Sequence, residues 1–135
     1  MTLSFDHAGL SVADLEAALR FYDEAFGFVA EFRFELGAHG IRGVMMRHED
    51  GHRLELFERP GSIAGLQGLT PVEALATRGL GHIAFAASDI DAPFARAVAA
   101  GAQPVIEPRP SPEPGVRFAF LADPEGNLVE LVERT

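Results

Sequence analysis

The sequence predicts an α+β protein built from two copies of one strand–helix–strand–strand–strand (βαβββ) unit. Three observations predict it. His7-Ala8-Gly9-Leu10-Ser11-Val12-Ala13-Asp14-Leu15 matches His82-Ile83-Ala84-Phe85-Ala86-Ala87-Ser88-Asp89-Ile90 at a spacing of 75 residues. Glu49-Asp50-Gly51-His52-Arg53-Leu54-Glu55-Leu56-Phe57-Glu58 matches Pro124-Glu125-Gly126-Asn127-Leu128-Val129-Glu130-Leu131-Val132-Glu133 at the same spacing. Each copy also passes from alternating apolar residues to helical spacing and back. Several matches in one register argue for a duplicated structural unit, where one match would mean little.

The elements follow in order. Residues 4–12 alternate and predict a strand. Asp14 is a good N-cap, and Leu15, Leu19, Tyr22 and Phe26 continue at helical spacing up to Gly27, a helix stop. Strands are expected at 28–36 and 41–48, then a hairpin turn at Asp50-Gly51 and a fourth strand at 52–58. Arg59 to Gly79, with Pro60, Gly61, Gly65, Gly68 and Pro71, is expected as a connector with one short helix near 71–77. The second unit predicts a strand at 80–87 and a helix from Asp89 or Asp91 that carries Ile90, Phe94 and Ala97 and ends at Gly101. A short strand is expected near 103–106, and further strands at 116–122 and 127–133 around the turn Asp123-Pro124-Glu125-Gly126. Pro108 to Gly115 is proline-rich and is expected to be an exposed loop. The 135 residues thus form one domain of module 1 (1–58), connector (59–79) and module 2 (80–135).

Composition narrows the chemistry. There is no Cys, which excludes disulfides, thiolate metal sites and a cysteine nucleophile. All 11 basic residues are Arg, so a Lys Schiff base and a Walker-A lysine are excluded too. A net charge of −9 without Lys argues against nucleic acid and anionic membrane surfaces as partners. No apolar run reaches the ~20 residues of a membrane span. The start MTLSFDHAGLS lacks signal-peptide character, so the cytoplasm is the expected compartment.

Alternation sorts the strand faces. His7, Gly9 and Ser11 oppose Ala8, Leu10 and Val12; Arg53, Glu55 and Phe57 oppose Leu54 and Leu56. His82 and Ala84 oppose Ile83 and Phe85; Leu128, Glu130 and Val132 oppose Val129 and Leu131. In both copies His and Glu are 48 residues apart and share the face away from the aliphatic pair. Carboxylates among apolar neighbours are costly when unpaired, and two in one cavity repel. A divalent cation resolves the conflict, and imidazole and carboxylate suit Zn, Ni, Co, Mn or Fe(II). Four such ligands leave positions open for Lewis-acid chemistry. Any one of these residues alone would be read as structural; the matched set of His7, Glu55, His82 and Glu130 points to a metal.

The chain resembles the vicinal oxygen chelate superfamily, which includes glyoxalase I, extradiol dioxygenases and the fosfomycin and bleomycin resistance proteins. The resemblance rests on the His7 strand, Tyr22, Leu54-Glu55-Leu56, Gly81-His82-Ile83-Ala84-Phe85 and Asp123-Pro124-Glu125-Gly126-Asn127-Leu128-Val129-Glu130-Leu131. It implies paired βαβββ modules forming an incomplete mixed β-barrel around one divalent metal. In ligand set the chain is most similar to glyoxalase I, which places His7, Glu55, His82 and Glu130 on the four metal-ligand positions. It implies a lyase or isomerase that works through a metal-stabilised enediolate or enolate, with Glu130 as base and Glu55 as its partner. The sequence departs from glyoxalase I around glutathione: Ser11 stands where an Arg is usual, and Phe57-Glu58-Arg59-Pro60 where an Asn is usual.

Arg53, Phe57, Ser11 and Arg117 are candidate substrate contacts, with Arg42 a further arginine of the same kind. His39, His48 and His52 are expected at surface turns. The expected partners are a small-molecule substrate and a second copy of the chain in a homodimer, with the metal site formed within one chain or across two. Two other functions remain open. An Fe(II) extradiol-type dioxygenase would use two His and one carboxylate, so Glu55 argues against it. A small-molecule (antibiotic) binding or resistance protein would not need the full ligand set.

Overall fold

Each half of the chain places a helix against one face of an open four-stranded sheet. The structure is a computed structural model, and it describes residues 1–66 and 69–135. The described residues fall into two compact units, Met1–Ala64 and Gly65–Thr135. Gly68, expected in the connector, lies outside the described residues.

Unit 1 runs β1 (His7–Ser11), α1 (Leu15–Phe26), β2 (Val29–Leu36), β3 (Ile41–Arg47) and β4 (Arg53–Glu58). Its sheet order is β1-β4-β3-β2, with β1 parallel to β4 and the other pairs antiparallel. Asp14 caps α1 by accepting from the Ala17 amide, and Gly27 ends it at φ 78°, a left-handed value that a side chain would resist. Leu15, Leu19 and Tyr22 of α1 are buried with Val44, Leu54 and Leu56 of the sheet. Full burial of Leu54 and Leu56 contributes roughly 1.5–3 kcal/mol each.

Unit 2 contains α2 (Pro71–Ala74), β5 (Ile83–Ala86), α3 (Asp91–Ala99), β6 (Gln103–Pro110), β7 (Val116–Ala122) and β8 (Leu128–Arg134). Its sheet order is β5-β8-β7-β6, the same topology with β5 parallel to β8. Ile90, Ala97, Ala119, Val129 and Leu131 form its buried centre. The glycines of the two β-turns, Gly51 and Gly126, share a positive φ of 98° and 90°, so the repeat holds at the level of the backbone.

Several boundaries differ from the sequence expectation. β1 begins at His7 rather than residue 4, and β5 spans only Ile83–Ala86, so His82 immediately precedes its strand. α2 ends at Ala74, short of residue 77, although Thr70 and Glu73 form a full capping box at its start. α3 starts at Asp91; Asp89 accepts from the Asp91 amide just before it. The largest correction concerns the proline-rich segment. Pro108, Arg109 and Pro110 belong to β6, and only Ser111 to Gly115 form the loop. β6 is an edge strand with two register shifts, and an edge strand tolerates the absence of the N–H that proline lacks. No helix among the described residues is long and apolar enough to cross a membrane.

Candidate metal half-sites

Parallel pairing of the first and last strand of each unit sets the candidate residues side by side. In unit 1, His7 is in register with Arg53, Gly9 with Glu55 and Ser11 with Phe57. These residues share the face opposite α1, because Leu54 and Leu56 point to the buried side. His7 Nε2 lies 3.3 Å from Glu55 Oε1. In unit 2, Ala84 is in register with Glu130, and His82 Nε2 lies 3.1 Å from Glu130 Oε2. The two carboxylates are 20% and 22% exposed, accessible to a ligand but not freely solvated.

Among the described residues, no group of three or more His, Asp or Glu side chains is arranged to hold a metal ion; His7–Glu55 and His82–Glu130 stand as pairs. Two donors about 2.1 Å from one cation and at right angles lie about 3.0 Å apart. Each pair has that separation and the right donors, a ring nitrogen and a carboxylate oxygen. Each therefore fits one edge of a divalent cation's coordination shell.

The surroundings differ. His7 has a second partner: Asp6 Oδ2 is 2.7 Å from Nδ1. This hydrogen bond raises the His7 pKa above its usual 6.5, opposed by burial and helped by the Glu55 charge. His82 instead sets its ring edge-on to Phe120, with centroids 5.0 Å apart. Phe120 lies opposite Glu130 in the β7–β8 register, and it clusters with the buried Leu128 and with Ala74 of α2. At the corresponding place in unit 1, Met45 lies opposite Glu55.

The four candidate substrate contacts separate. Ser11 and Phe57 lie on the His7–Glu55 face, and Phe57 meets Phe34 edge-on at 5.7 Å. Arg53 lies there too, but Glu31 holds its guanidinium in two hydrogen bonds of 2.8 and 3.1 Å. Arg117 lies in register with Glu133, on the opposite face of the sheet from Glu130, and bonds Asp91 and Glu133. Arg42 is its counterpart and bonds Glu58. Both glutamates also accept from a helix N-terminus, Glu58 from the Leu15 amide and Glu133 from the Ile90 amide. Leu15 and then Arg42 hold the Glu58 carboxyl below its ordinary pKa. His39 is exposed, while His48 and His52 flank Asp50 in the β3–β4 turn.

Asp6, Glu31, Phe34 and Phe120 were not singled out from the sequence. Asp6 carries its own signal, a carboxylate immediately before the metal-candidate histidine. The other three become visible only when strand register is known.

A sequence model of the Glyoxalase/Bleomycin resistance protein/Dioxygenase superfamily matches residues 4–131. The chain belongs to this superfamily. A glyoxalase family protein of Bacillus cereus superposes with a TM-score of 0.79 at 26% identity, covering 98% of this chain and 95% of that one. Glyoxalase I of Zea mays gives 0.77 at 23% identity, over 96% of this chain and 44% of the maize chain. The fosfomycin resistance protein FosX of Listeria monocytogenes, solved with Mn(II) and sulfate, gives 0.70 at 20% identity over 100% and 95%. The last two likenesses concern the fold. The sheet order found here in duplicate is thus the βαβββ architecture of the glyoxalase superfamily.

Proposed function

We propose that this chain is a divalent-metal-dependent lyase or isomerase of the glyoxalase type. Its substrate would be a small molecule that chelates through neighbouring oxygens. The observation that carries the reading is the repeated His–Glu pair, 3.3 Å apart in one unit and 3.1 Å in the other. His7, Glu55, His82 and Glu130 would hold one ion of Zn, Ni, Co, Mn or Fe. When bound, the cation spreads the negative charge that builds on the substrate oxygens.

The chain's own residues move the proton. Glu130 takes it from the carbon beside the substrate carbonyl and returns it to the adjacent carbon, with Glu55 as partner. Both bonds are accounted for: one C–H breaks, one carboxyl O–H forms, and the reverse happens at the neighbouring carbon. Phe120, in register with Glu130, and Leu128, on the same face of β8, would limit the access of water to it. Phe57 and Ser11 face the substrate from the first unit, and Arg53 would meet a substrate anion by exchanging it for Glu31. Arg117 is proposed to act through Asp91 and Glu133. The working assembly would be a homodimer.

Chelator-stripped protein titrated with each metal tests this reading. Stoichiometric binding is expected, with affinity falling more than about 100-fold in Glu130→Ala. The loaded protein should exchange the carbon-bound proton of small α-hydroxycarbonyl compounds with deuterated solvent. Absence of stoichiometric metal, or unchanged affinity in Glu130→Ala, overturns it. Oxygen uptake with catechols and Fe(II) would replace it with the dioxygenase. Mixing His7→Ala with His82→Ala protein locates the site: restored binding means that two chains share it, and no restoration means that one chain builds it.

A further inference from the structure

The two histidines of the repeat are not held alike, and the difference lies one residue upstream. Asp6 precedes His7, whereas Gly81 stands at the corresponding position before His82. Asp6 Oδ2 and His7 Nδ1 are 2.7 Å apart, the length of a charge-assisted hydrogen bond. An ionised carboxylate can only accept, so the proton of this bond resides on Nδ1. A neutral imidazole carries one N–H. Nε2 is then a bare lone pair, and it is the atom that faces Glu55 Oε1 at 3.3 Å. In the neutral ring the two acceptors repel unless a cation lies between them; in the protonated ring Nε2–H donates to Glu55 in the cation's place.

We infer that Asp6 is a positioning residue: it fixes the His7 ring and the tautomer that presents Nε2 beside Glu55. The inference deepens the metal reading above and rests on it for its consequence, although not for the hydrogen bond itself. Partners of this kind typically contribute 10–100-fold to metal affinity, because they remove the freedom of the ring and make it more basic. Asp6 is 73% exposed on its side chain and precedes the first strand, so its replacement leaves the core untouched.

Asp6→Ala and Asp6→Asn, each with His7→Ala as reference, test it. In metal-free protein at alkaline pH, the ring ¹⁵N shifts of His7 should report a protonated Nδ1 and a bare Nε2. That pattern should be lost in Asp6→Ala and kept in Asp6→Asn, whose amide oxygen still accepts. Zn(II) affinity should fall about 10–100-fold in Asp6→Ala and recover in part in Asp6→Asn. An unchanged tautomer in Asp6→Ala, or Zn(II) affinity within about twofold of wild type, overturns the inference. If His7→Ala binds Zn(II) as tightly as wild type, the metal reading itself falls. The ¹⁵N pattern of the metal-free protein then still decides whether Asp6 sets the tautomer.

Discussion

The two units share their framework and differ in what surrounds the His–Glu pair. Arg42, Glu58 and the Leu15 amide in unit 1 correspond, 75 residues on, to Arg117, Glu133 and the Ile90 amide in unit 2. In both, a glutamate near the end of the last strand ties the helix N-terminus to the neighbouring strand. The His–Glu face is built differently. Unit 1 has Gly43 where unit 2 has Phe118, and the ring of Phe34 covers Gly43 from the adjacent strand. Unit 2 covers its face with Phe118, Phe120 and Ala74. Unit 1 leaves Phe32 62% exposed. The lesson is that the repeat preserves the elements that hold the backbone, while the aromatic wall comes from a different strand in each copy.

That difference is broken most directly at Gly43. A Cβ there would lie 2.3–2.9 Å from three ring atoms of Phe34, so the ring must leave its place. Gly43→Ala should therefore cost about 1–3 kcal/mol, as overpacking does. Thermal unfolding checks it. The double variant Gly43→Ala/Phe34→Ala should lose less than the sum of the two singles, because the clash is gone. Additive losses would mean that Phe34 does not occupy this space.

The shared framework is sharpened by removing it from each copy. Glu58→Ala and Glu133→Ala should each destabilise by about 1–2 kcal/mol, since a helix-end amide loses its acceptor. The surface part of the Arg pairing adds little to that. Amide exchange at Leu15 should quicken in the first variant and at Ile90 in the second. If one variant is neutral, the two clamps are not equivalent and the parallel between the units ends at geometry.

Much of this framework was legible in the sequence, and the reason is local. Asp14, Gly27 and the 3.6-residue spacing of Leu15, Leu19 and Tyr22 define α1 without any distant contact. Alternation placed His7, Glu55 and Glu130 on their faces, because side-chain direction along a strand depends only on parity. What was not legible depends on neighbours across strands. The partners of Arg117 lie 26 and 16 residues away, and those of Arg53 lie 22 away. The eight-residue length of β6 was hidden by its prolines, which signal a loop unless the strand is known to be an edge.

The turns before the last strands of the two sheets differ in chemistry as well. Asp123 organises the second by accepting from the amides of Glu125 and Asn127. Asp50 organises the first, between His48 and His52. Burial works to raise the Asp50 carboxyl, but the His52 amide and then the His52 and His48 side chains outweigh it and hold it at about 2. A depressed carboxyl stabilises the fold above its ordinary value of 3.8, and that contribution is lost as pH falls towards about 2. Thermal stability of wild type should thus drop across this window more steeply than that of Asp50→Asn. Parallel curves would remove Asp50 from the acid response.

The smallest expected effect tests whether the asymmetry between the histidines comes from residue 6 alone. A Cβ at Gly81 meets nothing within 4 Å, and the residue is not held at a positive φ. Gly81→Asp should therefore be tolerated and would supply the second half with the carboxylate that Asp6 gives the first. His82 precedes its strand and already has Phe120 against its ring, so less remains to be ordered. Zn(II) affinity should tighten severalfold, by less than Asp6→Ala loosens it, and Gly81→Ala should leave it unchanged. Tightening in both variants would credit backbone stiffening before β5. No tightening in either would mean that Phe120 orients His82 without help, and that the two units reach the same donor geometry by different physical means.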